Sequence, residues 1–398
     1  MSRVQSKAKT AKEAPKSKKD KNTGKVVKAV KVVKAKNSKN REKVKKGKNL
    51  DNAVKGKNAK KVVRAKKDKT PKKSVNAKKV TKKIKNWAGY NNSLIGRGSI
   101  TLWLDDSVVK NWYHTGKLQK GAQYLYSEHC ITSLLSLKCY FKLPYRQTIG
   151  LARSLFHLLQ IDKEVPSYTQ LSRRAATLNV KIATHSTSSK LHLVIDSTGL
   201  KVYGEGEWKT RQHGYSKHRT WRKLHLLVNP ETGDIEGVTL TENGVDDASQ
   251  VEPLLTQAAE RGVEVIKLGG DGAYDRKKCW DLLAKKGIQG IIPPQENAAY
   301  WVDENGELLD HERNKILKRI DATSRKEWKE QSGYHRRSLG ETAMFRFKKI
   351  LGNSLFSREI ETQQTEAAIK VNVLNKLTGL GMPSYEQIKN DILNTAAS

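Results

Sequence analysis

Residues 191–196 read LHLVID: an apolar run closed by an aspartate. A short run of this kind is a buried strand, and Asp196 stands at its end. Residues 263–271, VEVIKLGGD, repeat the pattern and end in Asp271, where glycines permit close approach of another backbone or a ligand. Between them, LHLLV at 224–228, NPETGD at 229–234 and IEGVTL at 235–240 read as two strands joined by turn residues. Asp246 or Asp247 is placed to cap a helix reaching about Arg261. A helix over 275–286 follows, with Asp275 as its cap and Gly287 suited to its C-terminus. IQGII at 288–292 is a short buried strand stopped by Pro293 and Pro294. Strand, hairpin, helix, strand, helix, strand predicts an α/β fold: a mixed sheet with helices on both faces. Functional groups in such folds collect near strand ends.

Further on, residues 334–348 read YHRRSLGETAMFRFK. At about 100° per residue, Tyr334, Arg337, Glu341 and Lys348 fall within an arc of roughly 60°. Leu339, Ala343, Met344, Phe347 and Ile350 fill an adjoining arc, so the segment is an amphipathic helix. One acid among two bases and a phenol reads either as a salt-bridged surface helix or as a carboxylate aimed into a positive site. Residues 295–330 are polar and irregular, an inserted loop or small subdomain. Another helix is expected near Thr362–Lys376.

The chain has 398 residues and a formal charge of +37, unevenly spread. Residues 1–85 hold 34 Lys and Arg against 5 Asp and Glu, leaving 43 against 35 for the rest. The first segment lacks aromatic residues and repeats KVVKAV, KVVKAK and KVVRAK at 25, 31 and 61. It buries too little apolar surface to offset chain entropy and reads as a disordered tail, either binding nucleic acid by counterion release or serving as a solvated leader. Cys130, Cys139 and Cys279 are scattered, supporting neither a zinc site nor a disulfide framework. The basic N-terminus lacks the apolar region of a secretory signal. The most apolar stretch, 130–161, is broken by Lys138, Lys142, Arg146 and Arg153, which excludes a simple membrane span. The expectation is a soluble intracellular protein with a polyanion as partner.

Aromatic residues begin abruptly at NWAGYNNSLIGRGS, 86–99, and residues 98–180 read mainly as helices. Pro144 suits the first turn of one and Ser167 the N-cap of another. These two form either a helix-turn-helix, with Tyr168, Gln170, Ser172, Arg173 and Arg174 facing DNA, or a plain helical bundle; IDKEVPS at 161–167 is long for the turn. GEGEWKTRQHGYSKHRTWRK at 204–223 mixes bases with Trp208, Tyr215 and Trp221. It suits a DNA-contacting flap, or else a basic hairpin whose aromatics pack inward. His213, His218 and His225 lack metal-ligand spacing and read as surface or DNA-contact residues.

Asp196, Asp271 and Glu341 are the acids placed for chemistry. Carboxylates suit hard ions such as Mg²⁺ or Mn²⁺. Two such ions, about 3.5–4 Å apart, stabilise both attacking and leaving oxygens in phosphoryl transfer. Arg337, Lys348 and Tyr334 suit a phosphate backbone.

The spacing Tyr334-x2-Arg337-x3-Glu341-x6-Lys348 resembles the signature of bacterial insertion-sequence transposases of the DDE class, with the closest likeness to insertion-sequence family five. HLVIDSTGLKVYGEGEWK from 192, WRKLHL from 221, DGAYD from 271, IIPP from 291, LNKLTGLGMP from 374 and the aromatic start at 86 resemble that family too. The likeness covers about 87–385. It implies a ribonuclease-H-like core at 188–385, with Asp196, Asp271 and Glu341 as the catalytic and metal-binding triad. A helical DNA-binding domain at 86–185 would recognise terminal inverted repeats. Tyr334, Arg337 and Lys348, with Trp208, Arg173 and Arg174, would contact DNA. The implied reaction is metal-dependent cleavage at an element end, then attack of the freed 3′-hydroxyl on double-stranded target DNA. The resemblance also implies two ions, a homodimer in the synaptic complex and a bacterial, nucleoid-associated cytoplasmic setting.

The long Lys-rich leader departs from that pattern and resembles bacterial histone-like tails. It reads as part of a frame into which the element inserted. Two alternatives stand beside the transposase: a Lys-rich DNA-compacting fusion protein with a passive core, and a host nuclease that does not join strands.

Overall fold

A computed structural model describes residues 81–116, 124–186, 188–202 and 221–388. The basic tail up to residue 80 lies outside them, as do Trp208, His213, Tyr215 and His218. The described chain starts inside the expected tail, with strand β1 (Thr81–Ile84) paired antiparallel to β8 (Tyr385–Ile388). Lys85 N–H also donates to the Ser384 carbonyl at 2.8 Å. The tail boundary at 85 therefore lies past the onset of structure: backbone partners from the other end of the chain override a basic composition.

Helices α1 (Trp87–Gly96), α2 (Asp106–Lys110), α3 (Glu128–Phe141), α4 (Tyr145–Leu158) and α5 (Tyr168–Thr177) follow. Ser127 caps α3 by accepting from Cys130 N–H at 3.1 Å. Ser167 and Gln170 form a reciprocal capping box on α5. Pro144 stands as the N-cap of α4, just ahead of its first turn. The connection from α4 to α5 runs nine residues, Leu159 to Ser167, and is tied down along its length. Trp112 Nε1 donates to the Glu164 carbonyl at 2.7 Å, and the Tyr113 hydroxyl accepts from Glu164 N–H at 3.0 Å. The tight turn of a helix-turn-helix is absent here, and α4 and α5 sit in a helical bundle.

The sheet comprises β2 (Lys190–Val202), β3 (Trp221–Val228), β4 (Ile235–Glu242), β5 (Glu264–Gly269), β6 (Gln289–Ile291) and β7 (Ser354–Leu355). Helix α6 (Val251–Ala259) and helix α7 (Lys277–Lys285) occupy the crossovers to β5 and β6. Strand order is β4-β3-β2-β5-β6, with β7 pairing β2 beyond the end of β5. β3 runs antiparallel to both neighbours, while β5, β6 and β7 run parallel to the strands beside them. Counted from β2, this is order 3-2-1-4-5 with only the second strand reversed, a ribonuclease-H-like mixed sheet with flanking helices.

Residues 295–331, expected over 295–330 as an inserted loop or small subdomain, take the form of a small helical segment. They contain α8 (Glu312–Ala322) and α9 (Arg325–Gln331). Their polarity hides a sparse apolar set: Ile316 and Trp328 are buried in the core behind the sheet, with Trp301 and Ile320 packed on it. A 3₁₀ turn (Tyr334–Arg337) then leads into α10 (Ser338–Leu351), and α11 (Ile360–Gly379) follows β7.

Side chains alternate across β2 and divide the interior. Leu191, Leu193 and Ile195 enter the rear core with α6 and α7. Leu200, with Leu224 and Leu226 of β3, enters the front core with α10, α11 and the helical region from Trp103 to Ile182. The apolar core of the helices is thus continuous with that of the sheet. α11 is buried between them except along one stripe, exposed Gln364 followed by half-buried Ala368, Asn372 and Lys376, and its Glu366–Lys370 ion pair at 2.8 Å closes onto the main chain at Phe356, Ser357 and Ser354. Among the described residues, no helix is long and apolar enough to cross a membrane.

Candidate active site

Asp196 does not end its strand, contrary to the sequence reading. β2 continues six residues beyond it, to Val202. What ends there is the neighbour. β5 pairs with β2 as far as Val194↔Gly269, and β7 takes up pairing only at Lys201. Between those points one edge of β2 has no strand beside it, and this gap is the crevice. Asp196 lies two residues past Val194, and Asp271 two residues past Gly269, so the two carboxylates leave adjacent parallel strands at the same level. Gly270 is required by packing: a Cβ would lie 3.0 Å from the ring of buried Tyr274 and 3.3 Å from Ile195. Asp271 Oδ1 accepts from Ala273 N–H at 2.9 Å, which sets its turn.

Glu341 arrives on α10. The preceding Gly340 faces β2 so closely that a Cβ would lie 3.2 Å from Val194 Cγ1 and 3.7 Å from Asp196 Cβ. The sequence reading overlooked Gly340. Its signal was a glycine inside an amphipathic helix, which marks close backbone approach. Arg337 reaches between the acids, with Nη1 3.8 Å from Asp196 Oδ2 and Nη2 2.5 Å from Glu341 Oε1. Tyr334 lies beside it, with the Arg337 guanidinium 5.9 Å from the ring centroid. Lys348 lies further along α10 and donates to Thr198 Oγ1 at 2.5 Å, two residues past Asp196 on the same face.

The electrostatics mark these groups as neighbours. Burial raises the Asp196 carboxyl above the ordinary carboxylate range, and repulsion from Asp271 and Glu341 adds to it, against the Ser197 N–H and Arg337, which lower it. Burial likewise raises the Tyr334 phenol, with Asp271 and Glu341 adding to the effect, so it stays protonated. Burial opposes the charge on Arg337, but Tyr334, Asp196, Glu341 and Asp271 together outweigh it. The donors are all hard oxygens, which suits Mg²⁺ or Mn²⁺. Asp196 and Glu341 already share one cation, the guanidinium, so the crevice accepts positive charge between its acids. Among the described residues, no three His, Cys, Asp or Glu side chains are gathered tightly enough to ligate a single ion by themselves.

The remaining expectations fare differently. Arg173 is exposed on α5. Arg174 is engaged within the protein, donating to the Tyr126 carbonyl at 2.8 Å with its guanidinium 3.9 Å from the centre of the Tyr124 ring. Trp208 lies outside the described residues. His225 is not a surface residue: it points into the rear core, fully buried, with Nε2 2.9 Å from Thr241 Oγ1. Asp275 does not cap α7, because Arg276 is the N-cap. Asp275 instead forms a buried ion pair with Arg313 at 2.7 Å. Asp247 caps nothing either; its oxygens hold Ser197 and Lys223.

Two solved structures resemble this chain at low similarity. A piggyBac transposase synaptic complex with hairpin DNA is 11% identical at TM-score 0.32, covering 71% of this chain and 73% of that one. A Drosophila P element transposase strand transfer complex is 13% identical at TM-score 0.26, covering 71% and 62%. The family comparisons are direct. Residues 95–205 match one family model described as a transposase DDE domain, and residues 187–376 match a second of the same description. Together the two matches run from the helical region through α11, and over that span the chain is similar to transposase DDE domains.

Proposed function

We propose that this chain binds the terminal inverted repeats of an insertion sequence and performs divalent-metal-dependent cleavage, followed by transfer of the freed 3′-hydroxyl to target DNA. The observation that carries this reading is the convergence of Asp196, Asp271 and Glu341 on one gap in the sheet. Two do so through the register of β2 and β5, the third through the close packing of Gly340. With phosphate oxygens of bound DNA completing the set, these three acids would hold Mg²⁺ or Mn²⁺, which would supply charge neutralisation at the scissile phosphate and activate the attacking oxygen. The chain's own groups bind and orient. Arg337, which contacts Asp196 and Glu341, and Lys348, which donates to Thr198, would bind phosphates, and guanidinium geometry favours bidentate phosphate contact. Arg337 would exchange its carboxylate partners for phosphate oxygens as DNA enters. Protonated Tyr334 offers a hydroxyl donor beside it. The exposed Arg173 face of α5 and the basic stretch around Trp208 would extend the DNA contact. Two copies would act on two paired ends.

The test is a cleavage and joining assay on DNA carrying the ends of the element that encodes the chain, with Mg²⁺ or Mn²⁺. Asp196→Asn, Asp271→Asn and Glu341→Gln should each abolish cleavage while leaving end binding intact in a mobility-shift assay. Cleavage that survives all three substitutions sinks the triad. Cleavage without joined products would turn the reading toward a nuclease.

A further inference from the structure

We propose that Asp247 is a positioning residue for Asp196, acting through Ser197. The proposal rests on reading Asp196 as a metal ligand. Asp247 opens a 3₁₀ turn behind the sheet, and its side chain is committed to the strands. Oδ2 accepts the Ser197 hydroxyl at 3.1 Å, and Oδ1 accepts Lys223 Nζ at 3.0 Å. Lys223 is fixed in turn by donating to the Val245 carbonyl at 2.8 Å. Ser197 belongs to β2 and Lys223 to β3, so one carboxylate clamps the two strands from behind. The Ser197 amide meanwhile donates to Asp196 Oδ1 at 2.9 Å on the front. A single residue thus carries the linkage through the sheet: its hydroxyl is held by Asp247 and its N–H holds the acid.

The position explains why such support is useful. Along the gap between Val194 and Lys201, β2 has no strand on its β5 side. A ladder on one side only leaves the strand freer to twist, and a small twist re-aims Asp196. The clamp sits one residue from that carboxylate. Outer partners that orient metal-ligating groups typically contribute about 10–100-fold to metal affinity.

Mn²⁺ titrated into the full chain without DNA, with free ion read by electron paramagnetic resonance, tests this. Asp247→Asn should weaken Mn²⁺ binding about 10-fold and raise the Mn²⁺ needed for half-maximal cleavage in step. Ser197→Ala should act in the same direction. The double variant should be no worse than Asp247→Asn alone, because both act through one linkage. Asp275→Asn, which breaks a buried ion pair away from the triad, is the control: it should lower the melting temperature without changing Mn²⁺ affinity. Wild-type Mn²⁺ affinity in both Asp247→Asn and Ser197→Ala overturns the proposal. So does a loss that follows melting temperature across all variants, the control included. If Asp196→Ala leaves Mn²⁺ binding unchanged, the metal reading itself has failed and the proposal falls with it.

Discussion

Two arginine–aspartate clusters flank the end of β5, and they are finished to different degrees. At the rear, Asp275 is sealed. Arg313 meets it through Nε at 2.7 Å and Nη2 at 3.1 Å, Trp280 Nε1 donates at 2.9 Å and Gln295 N–H at 3.3 Å. Arg313 spends another donor on the Ala299 carbonyl and lies over the Trp301 ring. At the front, Asp196 has the Ser197 amide and a guanidinium at 3.8 Å, while the Glu341 side chain is 56% exposed. Asp271 and Asp275 are four residues apart in one DGAYD segment, yet they belong to opposite regimes. The rear cluster has its lone pairs consumed and holds the fold. The front cluster is less filled, with one long ion pair at Asp196 and an exposed Glu341, which is what the proposed ligand site would need.

The largest expected effect comes from removing charge at the front. Asp196→Asn should lower strand cleavage at least about 1,000-fold, or about 4 kcal/mol of barrier. It should also leave the fold as stable as before or more so at neutral pH. The sign follows from burial, which raises the Asp196 carboxyl in the folded state. A raised carboxyl favours folding fully below its unfolded pKa, and that contribution is lost as pH rises through the folded value. Asparagine removes the cost present at neutral pH. Thermal melts at pH 5 and pH 8 check this: the variant's advantage should be greater at pH 8. A melting temperature several degrees below wild type at both values would make Asp196 a structural residue and erase the contrast.

The rear cluster should answer in the opposite currency. Asp275→Ala leaves Arg313 buried and unpaired, which costs about 3–5 kcal/mol of stability. Denaturant unfolding measures it, and Arg313→Ala should cost a similar amount, with the double variant well short of the sum. Full additivity would mean that the two side chains do not act as a pair.

How far the sequence disclosed this contrast differs by level. The order of strands and helices was legible because apolar runs, turn residues and helical spacing are local. The reach of Glu341 toward the strands was implied by the resemblance rather than by spacing, since Arg337 and Glu341 also make an ordinary i,i+4 pair. Asp196 looked like a strand end because the apolar run stops there. The strand in fact continues, through mostly half-buried residues that pair with β3 and then β7, and pairing is a long-range property. Asp275 and Asp247 read as caps because acids ahead of helices commonly are. Their true partners, Arg313 and Lys223, lie 38 and 24 residues away, beyond any local pattern. His225 read as a surface residue within a basic stretch, because alternation alone does not say which face of a strand is covered.

That histidine sharpens the comparison through pH. Burial is the largest cause pushing His225 down to about 4. A base depressed in the folded state contributes stability present above its unfolded pKa of about 6.5 and lost as pH falls toward the folded value. Acidification from pH 6.5 to 4 should therefore cost on the order of 2 kcal/mol through this residue alone. The rear loses stability toward acid, whereas Asp196 at the front loses it toward base. His225→Gln should flatten the acid side of a stability-versus-pH curve measured by urea unfolding. An unchanged slope between pH 4 and 6.5 would mean the imidazole titrates alike in both states.

The smallest expected effect is the most selective. Gly340→Ala adds one methyl group where α10 meets β2, 3.2 Å from Val194 Cγ1. Alanine gains about 1 kcal/mol of helix propensity over glycine, and the contact gives back a similar amount because the helix must yield by a few tenths of an ångström. Stability should therefore change little. The yielding moves α10 away from the strand, and Glu341 with it. Placement errors approaching 1 Å cost up to about 100-fold in rate, so a shift of a few tenths should cost roughly 3–10-fold. A melt paired with a single-turnover cleavage assay separates the two terms. Lost cleavage at constant stability means that the front cluster works by the distance between a helix and a strand. Unchanged cleavage would mean that Glu341 sets its own reach by rotamer, and that the glycine serves only the packing.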